Sequence, residues 1–176
     1  MNRELVLLVN TAYGFEQAAF RVPAIERAQE DGEAPVYTWD MAVATTLSSL
    51  ALELYLKALW VIEREADPPK THQLDLLFRG LTSETRDALS QAYAEYSSIR
   101  WTVEQMLAKA SYLFQENRYP HEYTGENRHK SRSWSYELAV PHLFRERIME
   151  LRPDLEPPDS HGSPDERGPA YSKAGG

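Results

Sequence analysis

The pattern of apolar and polar positions along this chain is typical of a protein built from helices. Apolar residues recur at spacings of three and four residues, and no stretch shows the sustained alternation of a half-buried strand. Five such apolar faces, separated by short connections, belong together in one antiparallel bundle. We therefore expect an all-α fold, an up-and-down bundle of five to six helices with essentially no sheet.

The longest apolar stretch, from about Tyr37 or Thr38 to Arg64, is apolar on nearly every side. One helical face consists of Leu47, Leu50, Ala51, Leu54, Ala58, Val61 and Ile62. Other sides carry Leu52, Leu56 and Leu59. A helix that is apolar all round needs neighbours on several sides. We expect this helix to lie at the centre of the bundle.

The same helix also carries a narrow polar stripe. At about 100° per residue, the stripe consists of Thr46, Ser49, Glu53 and Lys57. Glu53 stands four residues before Lys57, which is the favoured orientation for an ion pair. Two interpretations are open. The stripe either faces solvent, with an ordinary surface ion pair, or faces a partly buried polar junction that reaches His72 on the next helix.

The helices before and after the central one have clearer apolar faces. The first shows Leu5, Leu8, Ala12, Phe15 and Ala19. Pro23 should end or kink this helix, with a helical extension over residues 24–30 that Gly32 closes. The third helix follows Pro69, with Thr71 as its N-cap. Its buried residues are Leu74, Leu77, Phe78 and Leu81.

The second half of the chain predicts three more helices and a tail. The fourth helix starts near Ser83, the fifth runs from Trp101, and Pro141 should be the first residue of the last, since proline is favoured there. From Pro153 the chain is rich in Pro, Gly, Ser, Asp and Glu, and buries too little to offset its ordering entropy. We expect one helical domain over residues 1–152 and a disordered tail over residues 153–176.

Composition and charge narrow the class of function. The chain has 176 residues, a net charge of −8 and no cysteine. Its length supports one domain with a sizeable core, and its charge argues against indiscriminate adhesion to nucleic acid or anionic membrane. Disulfides, thiolate metal sites and cysteine nucleophiles are excluded. The five histidines show no metal-ligand spacing, so we expect no metal and no cofactor.

The first apolar run of the chain bears on its location. This run, Leu5 to Val9, is too short for the core of a signal peptide or for a membrane span. We therefore expect a cytoplasmic protein that has no membrane partner.

The segment over residues 117–132 departs from the acidic balance of the chain. It has four Arg or Lys residues against two Glu, interleaved with Tyr and His rings. Cations interleaved with stacking rings are typical of single-stranded RNA binding. A solvated loop whose arginines neutralise nearby glutamates is the other interpretation. The candidate residues in this segment are Arg118, Tyr119, His121, Tyr123 and Arg128.

Three short motifs occur in a characteristic order. Residues 53–59 read ELYLKAL, residues 71–77 read THQLDLL, and residues 118–120 read RYP. In this order and spacing they resemble the HEPN superfamily of prokaryotic helical domains, over about residues 36–123. The resemblance implies an up-and-down helical bundle that forms a homodimer, with the Arg- and His-bearing segments of both subunits in one cleft.

The resemblance also implies a function. Many HEPN members are metal-independent RNA endonucleases of toxin–antitoxin and other defence systems, in which an Arg and a His with four to six residues between them carry the reaction. Here the matching catalytic candidates are Arg118 and His121, with two residues between them. Arginine offers a fixed fork of donors to phosphate, and histidine exchanges protons near neutral pH. The candidate binding residues are Glu53, Lys57, His72, Tyr119, Tyr123 and Arg128.

The short spacing between Arg118 and His121 leaves two functions open. One is a HEPN-type endoribonuclease or defence effector. The other is a catalytically silent HEPN module that dimerises and binds RNA, a nucleotide or a protein partner, such as an antitoxin or a nucleotidyltransferase. RNA cleavage that depends on Arg118 and His121 would distinguish the first from the second.

Overall fold

The structure of the chain is a computed structural model, and it describes residues 3–22, 39–97, 100–118 and 140–157. The side chains described are those of residues 3–22, 43–97, 100–112 and 140–157. Every regular element within these ranges is helical, which confirms the prediction of an all-α bundle. The helices are α1 (Arg3–Arg21), α2 (Trp39–Arg64), α3 (Leu74–Arg79), α4 (Ser83–Tyr96), α5 (Val103–Arg118) and α6 (Pro141–Leu151), followed by a 3-10 turn at Pro153–Leu155.

The central helix of the bundle is α2, as predicted. It packs against α1, α3, α5 and α6. Its largest fully buried side chains are Leu52, Tyr55, Leu56 and Leu59. Three of these are the leucines that lie off the predicted apolar face, whereas Leu54 is only half-buried. Because every side of α2 is apolar, the pattern could not tell which side its neighbours would cover most.

The apolarity of α2 also meets a simple criterion for a membrane span. By length and composition alone, the stretch Val43–Arg64 is apolar enough to cross a membrane, with a mean hydropathy of 1.2. More than half of the most apolar part of this stretch is buried inside the bundle. The core helix of a globular domain meets the same criterion, and packing by the other helices accounts for the composition of α2.

The buried face of α1 is rotated relative to the predicted one. Leu5, Ala12 and Ala19 are buried as expected, but Leu8 and Phe15 are only half-buried. Val9 and Glu16 take the positions between the three buried residues. A glutamate thus occupies a core position of α1. This helix ends at Arg21, before Pro23, and the expected extension over residues 24–30 with its end at Gly32 lies outside the described residues.

The start of α3 is held by a different residue from the predicted one. Thr71 is not the N-cap, because its Oγ1 accepts a hydrogen bond from the Gln73 amide at 3.1 Å, within a local turn. The helix begins at Leu74, whose amide donates to Ser111 Oγ of α5 at 2.8 Å. Ser111 Oγ in turn donates to the Leu107 carbonyl at 2.9 Å. A serine on α5 therefore satisfies the first amide of α3.

Replacing Ser111 with alanine is expected to destabilise the folded protein by about 1–2 kcal/mol, because a buried backbone N–H loses its acceptor. The matched control is Thr102→Ala, which removes the hydroxyl that accepts from the Gln105 amide at the exposed start of α5. Water can replace that hydroxyl, so its loss should cost less. Urea denaturation of both variants measures the difference, and equal losses would contradict this role of Ser111.

The later helices begin close to their predicted positions. Thr82 is the N-cap of α4, with its Oγ1 accepting from the Thr85 amide, and α6 begins at Pro141 as predicted. The predicted tail, however, begins too early at Pro153. Leu155 is 4% exposed and belongs to the core, so the packed part of the chain extends at least to this residue. The helical part is therefore longer than residues 1–152.

Candidate functional site

The polar stripe of α2 does not lie on a solvent-exposed face. Ser49 and Glu53 are buried, and Thr46 and Lys57 are half-buried. Their side chains face the neighbouring segments of the bundle rather than bulk water. Of the two interpretations left open by the sequence, the structure shows the partly buried polar junction.

Three polar side chains meet at this junction. Lys57 Nζ donates to Glu53 Oε1 at 2.6 Å, one helical turn away on α2. His72 Nδ1 lies 3.0 Å from both carboxylate oxygens of Glu53. Glu53 is 8% exposed, Lys57 is 16% exposed and His72 is 62% exposed. We call Glu53, Lys57 and His72 the α2–α3 junction.

The hydrogen bond at the junction fixes which nitrogen of His72 carries the proton. An ionised carboxylate has no proton to give, so Nδ1 must donate to Glu53. In the neutral imidazole the lone pair then lies on Nε2. The buried carboxylate therefore orients a largely exposed imidazole and selects its tautomer. This is the arrangement in which a histidine can accept and release a proton at Nε2.

The C-terminal end of α5 lies toward the same end of the bundle as the junction. Arg79, at the end of α3, lies 3.6 Å from Glu104 near the start of α5, whereas Leu74 bonds to Ser111 further along α5. These two contacts show that α3 and α5 run in opposite directions. Arg118 is seven residues beyond Ser111 on α5, or about 10 Å along the helix axis.

Several predicted site residues fall outside the described part of the structure. Arg118 is the last residue of α5, but the structure describes only its backbone. Tyr119, His121, Tyr123 and Arg128 lie outside the described residues altogether. Of the predicted site residues, the structure thus brings Glu53, Lys57 and His72 together.

A second buried polar cluster was not predicted from the sequence. The Tyr55 hydroxyl donates to Glu16 Oε2 at 2.6 Å. Arg145 Nη1 lies 3.3 Å from Glu16 Oε1, an ion pair whose geometry falls short of a hydrogen bond. The Arg145 guanidinium also stacks 5.3 Å from the centre of the Tyr13 ring. This cluster joins α1, α2 and α6 inside the bundle.

Burial dominates the electrostatics of this second cluster. Desolvation raises the pKa of the Glu16 carboxyl, and the Arg145 charge and the Tyr55 hydrogen bond oppose that rise without cancelling it. Burial also raises the pKa of the Tyr55 hydroxyl, which therefore stays a neutral donor. Glu16 and Tyr55 are 0% exposed, so the cluster holds helices together and is closed to a substrate.

The one sequence signal for this cluster is the position of Glu16. It follows Ala12 by four residues and precedes Ala19 by three, which is the spacing of the buried face of α1. A carboxylate at such a position needs a buried partner. Nothing in the local pattern identifies that partner as Tyr55 or Arg145.

The described residues contain no group of three or more His, Asp or Glu side chains that could hold a metal ion. What they contain instead is a carboxylate–histidine pair with a lysine. The chemistry available to these groups is proton transfer and the binding of anions.

The fold defines the class of protein as a small helical-bundle domain organised around one long apolar helix. The family model of the HEPN domain matches residues 15–137, which include all three motifs of the sequence and the whole of α2 to α5. The chain therefore belongs to the HEPN family, and the resemblance is confirmed. No curated protein and no solved structure gives a significant match to the chain.

Proposed function

We propose that this protein is a metal-independent endoribonuclease of the cytoplasm that acts in a prokaryotic defence or toxin–antitoxin system. The observation that carries the proposal is the α2–α3 junction, where the buried Glu53 holds the exposed imidazole of His72 at 3.0 Å. An oriented imidazole is what cleavage through the ribose 2′-hydroxyl needs. The basic, ring-rich segment over residues 117–132 supplies groups suited to RNA.

In this proposal each candidate residue has a role. Arg118 stabilises the charge that builds on the phosphate, with His121 beside it in the sequence as a proton-exchanging group. Tyr119 and Tyr123 stack on bases, and Arg128 contacts the RNA backbone. HEPN domains often dimerise, and we propose a homodimer that presents two such sites. An antitoxin or a nucleotidyltransferase is the protein partner of this role.

A specific observation favours a second candidate function. Arg118 and His121 have two residues between them, fewer than the four to six of the active family members. By its sequence, Pro120 disfavours helical geometry at Tyr119, so we do not expect the pair to share a helical face. A catalytically silent HEPN module would instead dimerise and bind RNA, a nucleotide or a protein partner.

The experiment is a cleavage assay on single-stranded RNA in the presence of EDTA. Wild type should cleave, and Arg118→Ala should lower the rate by about 100-fold or more, as expected for the loss of one charge-stabilising donor. Arg152→Ala is the matched control, since this arginine pairs with Asp154 beyond α6, and it should retain full activity. RNA binding without cleavage by wild type would favour the silent module instead.

A further inference from the structure

We infer that His72 is the residue that takes the proton from the ribose 2′-hydroxyl, and that Glu53 is its positioning residue. This inference rests on the proposed function, since it assigns a step of that RNA cleavage. In the sequence, the catalytic histidine of the family resemblance is His121, and His72 is only a binding candidate. The geometry of the α2–α3 junction is the reason for assigning this step to His72 rather than to His121.

The position of His72 combines access with restraint. Its side chain is 62% exposed, so a substrate can reach the ring. An exposed side chain ordinarily moves among rotamers, but Nδ1 lies at 3.0 Å from both oxygens of Glu53. Hydrogen bonds to an ionised group are among the stronger ones in proteins. The ring is therefore held at a defined place on the surface.

The carboxylate that holds His72 is itself fixed. Glu53 belongs to the central helix, is 8% exposed, and pairs with Lys57 Nζ at 2.6 Å. On the other side of His72, the start of α3 is fixed by the bond from the Leu74 amide to Ser111 Oγ. The anchor of the imidazole thus comes from the rigid part of the bundle. Site groups held on rigid elements keep the small tolerances that proton transfer needs.

The second histidine with a described side chain makes a useful contrast. His142, on α6, packs edge-on against the Tyr96 ring with centroids 4.9 Å apart. It is half-buried. His72, in contrast, lies at hydrogen-bond distance from the buried carboxylate of Glu53.

The step balances without a metal or another co-reactant. His72 Nε2 takes the proton of the 2′-hydroxyl while O2′ forms a bond to phosphorus. The bond from phosphorus to O5′ breaks, and its electron pair leaves on O5′, which takes a proton from water. The hydroxide left behind accepts the proton held by His72. The products are a 2′,3′-cyclic phosphate and a 5′-hydroxyl end, and the imidazole returns to its starting form.

The test compares His72→Ala with the control His142→Ala in the cleavage assay with EDTA. His72→Ala should lower kcat by about 10²–10⁴-fold, the usual contribution of a positioned general base. Its affinity for RNA, measured by fluorescence anisotropy, should be unchanged, and added imidazole should restore part of the rate. His142→Ala should keep the wild-type rate. Circular dichroism checks the fold of each variant.

The role of Glu53 has its own readout. Glu53→Gln can donate to Nδ1 and so favour the tautomer with the proton on Nε2, which should lower kcat more than it raises KM. Nitrogen-15 NMR of the imidazole should show the proton on Nδ1 in wild type and its loss from Nδ1 in Glu53→Gln. A merely structural role of Glu53 would leave this tautomer signature unchanged.

The outcomes separate the inference from the proposed function. If wild type does not cleave RNA, the proposed function fails and the inference fails with it. If wild type cleaves and His72→Ala cleaves equally well, the function stands and the inference is overturned. The inference is also overturned if His72→Ala loses its affinity for RNA, or if added imidazole does not restore part of its rate. Loss of kcat with unchanged affinity and rescue by imidazole supports it.

Discussion

Replacing Arg145 with methionine is expected to lower the free energy of unfolding by about 3–5 kcal/mol near pH 8, because it leaves a buried charge without its partner. Arg145 is the cation that faces Glu16, at 3.3 Å, and its side chain is 11% exposed. Glu16 has no exposed surface through which water could compensate. Urea denaturation of wild type and variant measures the loss.

The loss should shrink as the pH is lowered. The pKa of Glu16 is raised in the folded protein above its ordinary value of 4.5, so the folded state binds a proton where the unfolded state does not. The stability that the Glu16 carboxyl contributes is therefore greatest below its pKa in the unfolded state. It is lost as the pH rises through its pKa in the folded state. A protonated Glu16 needs no counter-charge. Arg145→Met should thus cost least toward pH 4.5.

A double variant provides the matched control for this prediction. In wild type, the Tyr55 hydroxyl donates to Glu16 Oε2 at 2.6 Å. In Glu16→Gln combined with Arg145→Met, the glutamine oxygen can still accept that hydrogen bond. No buried charge remains, so most of the lost stability should return. An Arg145→Met protein as stable as wild type at pH 8, or a double variant as unstable as the single one, would contradict this account.

The second large effect is expected for Gly80→Ala, just after α3. A Cβ at this position would overlap Cζ3 of the Trp60 ring. The Arg64 guanidinium lies 5.6 Å from the centre of this ring and donates to the Gly80 carbonyl at 2.9 Å, which restricts the movement of the ring. Overpacking of this kind costs about 1–3 kcal/mol. The backbone of Gly80 is ordinary, with φ of −77°, so the tryptophan alone requires the glycine.

The same substitution at Gly14 is the control. Gly14 lies inside α1, and a Cβ there would meet nothing within 4 Å. Alanine is the better helix former, so Gly14→Ala should stabilise the protein by about 0.5–1 kcal/mol. Thermal unfolding of both variants should therefore give shifts of opposite sign. Shifts of the same sign would mean that the approach of Trp60 to Gly80 is not what requires glycine there.

Local patterns were sufficient for the helices and for the family. The all-round apolar stretch predicted a central helix, which α2 is, and Pro141 marked the first residue of α6. The pair of Glu53 and Lys57 followed from their spacing on one helix. These predictions succeeded because each depends on residues that are near one another in the chain.

The failures all involve partners far apart in the sequence. Thr71 has the right chemistry for an N-cap, but Ser111 satisfies the start of α3 from another helix. Leu155 lies in a Pro- and Asp-rich stretch, yet the core buries it. Glu16 has the spacing of the buried face of α1, but its partner Arg145 belongs to α6. Periodicity gives a helix its face but not the residues that this face meets.

The candidate site shows the same division. The sequence placed Glu53 on a polar stripe and put His72 within its reach as one of two interpretations, and the structure decided between them. That His72 is held by both oxygens of a nearly buried carboxylate depends on how α2 and α3 pack. The role of Arg118 and His121 stays a prediction, since their side chains lie outside those that the structure describes.

The chemistry of the RNA ends tests the central claim most directly. Purified wild-type protein would be incubated with a short single-stranded RNA in EDTA, and the products analysed by mass spectrometry. The account predicts fragments that carry a 2′,3′-cyclic phosphate on one side of the cut and a 5′-hydroxyl on the other. Uncut RNA, or fragments with a 5′-phosphate and a 3′-hydroxyl, would contradict it.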